Sequence, residues 1–128
     1  MKKIICSISA LFLFIGILSI QGCTQEDLKK SNFKTEYQAV LLVGGMAYFG
    51  KIEKVGQRYI EMTDVYYVHS RQNPDTNQVD NILVKRGKEL HGPDRMYINT
   101  AHVIMIEPVA PDSKMGQSIK DFKAKGNN

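Results

Sequence analysis

The sequence predicts a mainly β fold: a small, strongly bent antiparallel barrel or roll of five to six strands. An N-terminal hydrophobic signal or anchor helix precedes it and a short C-terminal amphipathic helix succeeds it. Three observations carry this. Residues 4–20 form an uncharged apolar run behind Lys2 and Lys3. From Glu36 onward, short stretches rich in apolar and β-branched residues alternate with glycine, proline and asparagine turns. Near the end, Met115, Ile119 and Phe122 recur at spacings of four and three, the stripe of an amphipathic helix.

A cationic start followed by an apolar stretch is the pattern of an export signal. Read as a helix, the 17 residues from Ile4 to Ile20 reach about 26 Å, slightly less than a hydrocarbon core of roughly 30 Å. Lysines at the start favour an N-terminus in the cytoplasm. An uncleaved anchor, a cleaved signal and free secretion all place the downstream domain outside the cytoplasm. Residues 23–35 are polar and read as a tether or one loose helical turn.

The remaining chain divides into a β domain over residues 36–110 and a helix with a frayed tail over 111–128. Residues 37–43 form the first strand, and Gly44-Gly45 supplies the positive backbone angles of a tight hairpin turn. Residues 46–55 are the second strand. In it Met46, Tyr48 and Ile52 share one face, and Phe49, Lys51 and Glu53 the other. Gly50 in mid-strand predicts a bend or bulge. After a turn at Gly56-Gln57, residues 58–69 form a long third strand. Alternation assigns Ile60, Met62, Tyr66 and Val68 to the core, and Tyr59, Glu61, Thr63 and Tyr67 to the outer face. Residues 70–81 read as a surface loop and 82–85 as a short strand. A second loop over 87–95 contains Gly92-Pro93-Asp94. The closing strands are 96–98 and 103–107, joined by a tight turn. Residues 40–43 and 103–106 are apolar on both faces, so both sides should be covered. The C-terminal helix, capped by Asp112 or Ser113, or a neighbouring subunit would provide the cover.

Charge and composition narrow the function classes. The 128 residues carry a formal charge of +4, of which Lys2 and Lys3 in the leader account for half. The closest approach to a basic cluster is Lys85, Arg86 and Lys88, flanked by Asp80 and Glu89, and reads as a solvated turn. This is not the concentrated basic surface of a nucleic-acid binder. The two cysteines, Cys6 and Cys23, both precede the β domain, which therefore has no internal disulfide, thiol nucleophile or Cys-ligated metal. His69, His91 and His102 show no ligand spacing; Glu89 and His91 alone would make a weak metal pair. There is no Gly-x-Ser-x-Gly elbow, P-loop or dinucleotide fingerprint. Asp64 stands out because its parity places a carboxylate with the core set. It reads either as a tuned acid or as a group hydrogen-bonded near a bulge or strand end. Phe49, Tyr59 and Tyr67 share the outer parity and form a candidate interaction patch. No cofactor is expected, and no catalytic set is assembled.

Three resemblances bear on these readings. Ile20-Gln21-Gly22-Cys23 resembles the lipobox of bacterial lipoproteins, with Ile20 and Gly22 fitting and Gln21 departing from the usual small or aliphatic residue. The resemblance implies cleavage before Cys23 and lipid attachment to its thiol. The stretch 40–68, with L-L-V-G-G and Y-F-G-K-I, resembles the first half of an Sm-like small barrel. M-Y-I-N-T-A-H-V-I-M-I-E-P resembles that family's closing strands. The barrel fold is implied; RNA binding is not, because Gly56 and Gln57 stand where that family carries an Asp or Asn. The strings Y-F-G-K, T-D-V-Y-Y and E-L-H-G-P are similar to those of small, uncharacterised, membrane-anchored bacterial proteins. Together these describe a membrane-tethered extracytoplasmic binding or structural module in the cell envelope, displayed to an envelope partner or to copies of itself. The alternative is a small-ligand-binding barrel; an enzyme ranks lower.

If Cys23 carries lipid, the intact mass of membrane-extracted protein will include a diacylglycerol-sized increment that Cys23→Ala removes. Uncleaved masses that differ only by the substitution would identify a helix anchor instead.

Overall fold

The computed structural model describes residues 28–126. The expected leader, with Cys6 and Cys23, lies outside the described residues. Six strands appear in chain order: β1 (Gln38–Leu42), β2 (Ala47–Val55), β3 (Tyr59–Gln72), β4 (Val79–Lys85), β5 (Arg95–Asn99) and β6 (Val103–Pro108). A single α-helix among the described residues, α1 (Lys114–Ala124), succeeds them. All ladders are antiparallel. They form one open sheet in the order β4-β3-β2-β1-β6, with β5 also paired to β3. The long β3 thus has two partners on one edge: β5 along Tyr59–Thr63 and β4 along Tyr66–Gln72. A 3-10 turn at Thr100–His102 carries the chain from β5 to β6. Among the described residues no ladder between those two strands closes the sheet.

The sheet bends because its registers slip. Between β2 and β3 the pairing runs Phe49↔Tyr66, then Lys51↔Thr63. β3 therefore carries one extra residue opposite Gly50. Asp64 absorbs it with φ at +48°, a left-handed conformation that Asp tolerates better than most side chains because it is short and polar. Gly50 is needed across the strand. A Cβ there would lie 3.0 Å from Met62 Cε and 3.1 Å from the Thr63 carbonyl oxygen.

This bulge reverses the parity of β3. Before it, Ile60 and Met62 enter the first core; after it, Val65 does, joined by Val40, Ile52 and Ile98. Tyr66 turns to the opposite face, where it is fully buried with Tyr37, Val109 and Ile119 in a second core. The alternation expected from sequence is therefore corrected beyond residue 63. Tyr66 is buried on the other face, and Val68 is exposed. A second slip, at Ile52/Lys54, disturbs the β2 ladder. There the buried Gln38 side chain accepts from the Ile52 amide at 3.2 Å and donates to the Thr35 carbonyl at 2.6 Å, meeting the need of buried polar groups for partners.

α1 covers the second core rather than the apolar runs 40–43 and 103–106 for which a cover was expected. Ser113 is its N-cap, accepting from the Gly116 amide at 3.1 Å. Ile119 is buried, and Met115 and Phe122 pack beside it on the second core. Outward residues of both runs stay uncovered, Val43 after β1 among them. Val103 and Ile106 pack on the first core, whereas Ile104, the extra residue where the β1/β6 register shifts, is exposed together with Met105. The expected loop at 70–81 is shorter than its polarity suggested. β3 and β4 continue as a solvent-exposed ribbon, paired through Ser70↔Asn81 and Gln72↔Val79, and turn at Asn77 with φ at +55°. Strand pairing there needs no buried face, so apolar periodicity does not reveal it. The tether expectation over 23–35 meets one 3-10 turn at Lys30–Asn32, and Phe33 packs against the first core. Among the described residues no helix is long and apolar enough to cross a membrane.

Candidate functional site

The bulge that sets the fold also assembles the most connected polar group among the described residues. Left-handed backbone at residue 64 aims the Asp64 carboxylate across the edge of the second core. The Tyr37 hydroxyl donates to Oδ2, and the Tyr66 hydroxyl donates to Oδ1 at 3.1 Å. Lys85 Nζ lies 3.4 Å from Oδ1, and Lys123 Nζ, from α1, 3.4 Å from Oδ2. Lys123 also donates to the Tyr37 hydroxyl at 3.1 Å. The rings hold the cations as well: Lys85 stands over Tyr66, and Lys51 and Lys123 over Tyr37, where the negative ring face attracts them. Tyr37, Tyr66 and Phe122 meet edge to face.

These contacts fix the protonation of the cluster. Burial alone would raise the Asp64 carboxyl. Hydrogen bonds from Tyr37 and Tyr66, and the ammonium groups of Lys123 and Lys85, outweigh it and hold Asp64 below the usual carboxylate range. Tyr37 and Tyr66 are pushed well above the ordinary phenol value, first by burial and then by the neighbouring carboxylate. Asp64 is therefore an ionised anchor that ties β3, β4, α1 and Tyr37, the residue before β1, together.

On its other side Asp64 borders a cleft of about 480 Å³, within the usual size range of small-molecule sites. Lys85, Arg86 and Lys88 line it from one segment, and Pro93, Asp94, Arg95 and Met96 from the next, beside Asp64 and Val65. The bulge positions the first segment, since the Arg86 amide donates to the Val65 carbonyl at 2.8 Å. Gly87, at φ +118°, then turns the chain away, and its amide donates to Glu89 Oε2 at 2.7 Å. Arg95 is committed to Glu61 at 2.7 Å and to Asp94 at 3.2 Å. Arg86 is less well served. Its side chain is only 25% exposed; Nε stands 3.0 Å from Glu89 Oε1 but is buried without a hydrogen bond. Nη1 reaches only the Met96 thioether at 3.7 Å.

The residues singled out from sequence are dispersed. Phe49 packs half-buried against the second core, and Tyr67 lies on the opposite face, edge to face with Tyr48 at 6.3 Å. Tyr59 is exposed near the start of β3. The candidate patch of Phe49, Tyr59 and Tyr67 is therefore corrected: the Asp64 bulge separates its members. Glu89 serves Gly87 and Arg86, and His91 is exposed beside it. Among the described residues no three metal-ligating side chains converge. Sequence reasoning singled out Asp64 but missed its tyrosine partners, which come from distant positions, and it read the Arg86 turn as solvated. The available signal was Gly87 and Gly92-Pro93 bracketing a basic segment. Comparison of the chain with protein-family models and with curated protein sequences gives no match.

Asp64→Asn should lower stability in urea by about 1–3 kcal/mol, since two ammonium groups lose their counter-charge. The Asp64 contribution is complete above the unfolded value near 3.8 and is lost as pH falls through the lower native value. The stability gap between wild type and variant should therefore shrink on acidification. At high pH the unfolded phenols ionise near 10.0 while native Tyr37 and Tyr66 resist, so wild-type stability should fall above that value. A gap that stays constant down to acid pH would contradict the assignment.

Proposed function

We propose that this chain is a membrane-tethered extracytoplasmic binding module of the cell envelope, and that the cleft beside Asp64 is its binding face for a small ligand. The leader supports the address: an apolar run behind two lysines ends in Ile20-Gln21-Gly22-Cys23, which resembles a lipobox at Ile20, Gly22 and Cys23 and departs from it at Gln21. The observation that carries the binding reading is the cleft itself. It has a working volume, walls held by ion pairs to Glu61, Glu89 and Asp94, and Arg86 Nη donors that meet no oxygen acceptor among the described residues.

Binding fits this geometry better than catalysis. The one carboxylate that sequence reasoning offered as a tuned acid is held ionised by two phenols and two lysines. A general acid at neutral pH needs the opposite shift. The sheet, curling as a barrel-like roll around the first core, serves as the rigid mount, and the 86–96 segment as the recognition loop.

Thermal unfolding of the full chain in nonionic detergent, against a panel of neutral and anionic metabolites and glycans, tests the reading. A ligand present at a hundred times its Kd adds about 2.7 kcal/mol, a shift of several degrees for a domain this size. At least one compound should raise the midpoint. Lys88→Trp, which sets an indole in the cleft, should abolish that response while leaving the unliganded midpoint unchanged. No response to any compound, or an undiminished response in Lys88→Trp, would overturn the assignment of the cleft.

A further inference from the structure

The cleft is lined by four cationic side chains, Lys85, Arg86, Lys88 and Arg95, and two carboxylates, Asp64 and Asp94. Most of this charge is already matched. Lys85 faces Asp64 at 3.4 Å, and Arg95 is shared between Asp94 and Glu61. Two cations keep donors to spare: Lys88, and Arg86 beyond its ion pair with Glu89. Lys88 has no ion-pair or hydrogen-bond partner among the described residues. Arg86 has five N–H donors, of which one meets a thioether and another faces Glu89 without a hydrogen bond. The Glu89 carboxylate faces Nε, which leaves the outer Nη donors free to meet an incoming acceptor. The backbone holds Arg86 there through the Val65 carbonyl.

Resting on the binding reading above and deepening it, we infer that the cleft receives an organic oxyanion. The anionic head, a phosphate ester or carboxylate, accepts from the Arg86 guanidinium and the Lys88 ammonium, and the organic remainder lies against Pro93 and Met96. Three features support this. A guanidinium presents paired donors that match the paired oxygens of such heads. The volume of about 480 Å³ far exceeds one phosphate, so the occupant has an organic body. Pro93 and Met96 line the same cleft, Met96 beside Arg86, and give that body an apolar surface.

The same head group could arrive on a free metabolite or on a membrane lipid, and the test separates these. Glycerol 3-phosphate, glycerate, and neutral glycerol are titrated into the full chain in nonionic detergent and followed by calorimetry. Vesicles of phosphatidylcholine with and without phosphatidic acid are presented to the chain in parallel. The inference predicts saturable binding of an oxyanion probe and none of glycerol. Arg86→Gln should weaken it by about tenfold or more, the loss of a charge-assisted hydrogen bond. Lys88→Gln, at an exposed position that leaves folding intact, should weaken it by about threefold. Binding of phosphatidic acid vesicles alone, with the same sensitivity to both variants, also supports the inference and identifies the lipid as the source. If neutral compounds bind in the cleft and oxyanions do not, this inference falls and the binding-module reading stands. If nothing binds, both fall. Oxyanion binding that neither variant weakens is adventitious and overturns the inference.

Discussion

One residue held in left-handed backbone organises this molecule. Asp64 takes up the extra residue of β3 opposite Gly50, and everything after it on that strand changes face. Without the slip, Tyr66 would point into the first core and Val65 away from it. With it, the sheet gains two apolar faces. One is filled by aliphatic side chains and Met62; the other, built around Tyr66, requires a cover, and α1 supplies it. The left-handed conformation costs a non-glycine residue about 1–2 kcal/mol. Hydrogen bonds and ion pairs from Tyr37, Tyr66, Lys85 and Lys123 offset that cost.

The same cluster explains how a domain of this size can hold together with no cysteine among the described residues to crosslink it. The second core is small, and its edge is wet. A carboxylate beneath two buried phenols, with lysines above the rings, converts that edge into a set of charge-assisted contacts linking β3, β4, α1 and Tyr37. Each contact is modest alone. Their shared acceptor makes them act as a unit, since loss of the carboxylate leaves several donors without a partner.

Much of the architecture was legible because it rests on local chemistry. Gly44-Gly45 marks the β1–β2 turn, Ile60 and Met62 mark the core face of β3, and Met115, Ile119 and Phe122 mark the buried stripe of α1. Ser113 is its cap. What was not legible depends on pairing between distant residues. After Asp64 come Val65, Tyr66, Tyr67 and Val68, four apolar residues in a row that fit either parity, so alternation could not report the slip. For the same reason the expected Phe49–Tyr67 patch divides between two faces. The β3–β4 ribbon is polar on both sides and leaves no periodic trace. Gln38 is buried because its side chain accepts from the Ile52 amide beside the β2 register shift, a pairing that spacing does not record. Of the candidate site, Asp64 was recognised as unusual. The partially buried Arg86 was not, because its burial comes from Met96 and Glu89 folding over it, and sequence spacing carries no record of that.

The cleft inherits its geometry from the bulge, because the Val65 carbonyl, one residue past Asp64, anchors the Arg86 amide. Fold and proposed function therefore rest on one claim, that β3 changes face at residue 64. Nuclear Overhauser contacts from the Tyr66 and Val65 side chains test it most directly. The account predicts Tyr66 ring protons close to Phe122 and Ile119, and Val65 methyls close to Met62 and Ile98. Contacts from the Tyr66 ring to Ile60 and Met62, with Val65 facing α1, would show uninterrupted alternation and contradict it.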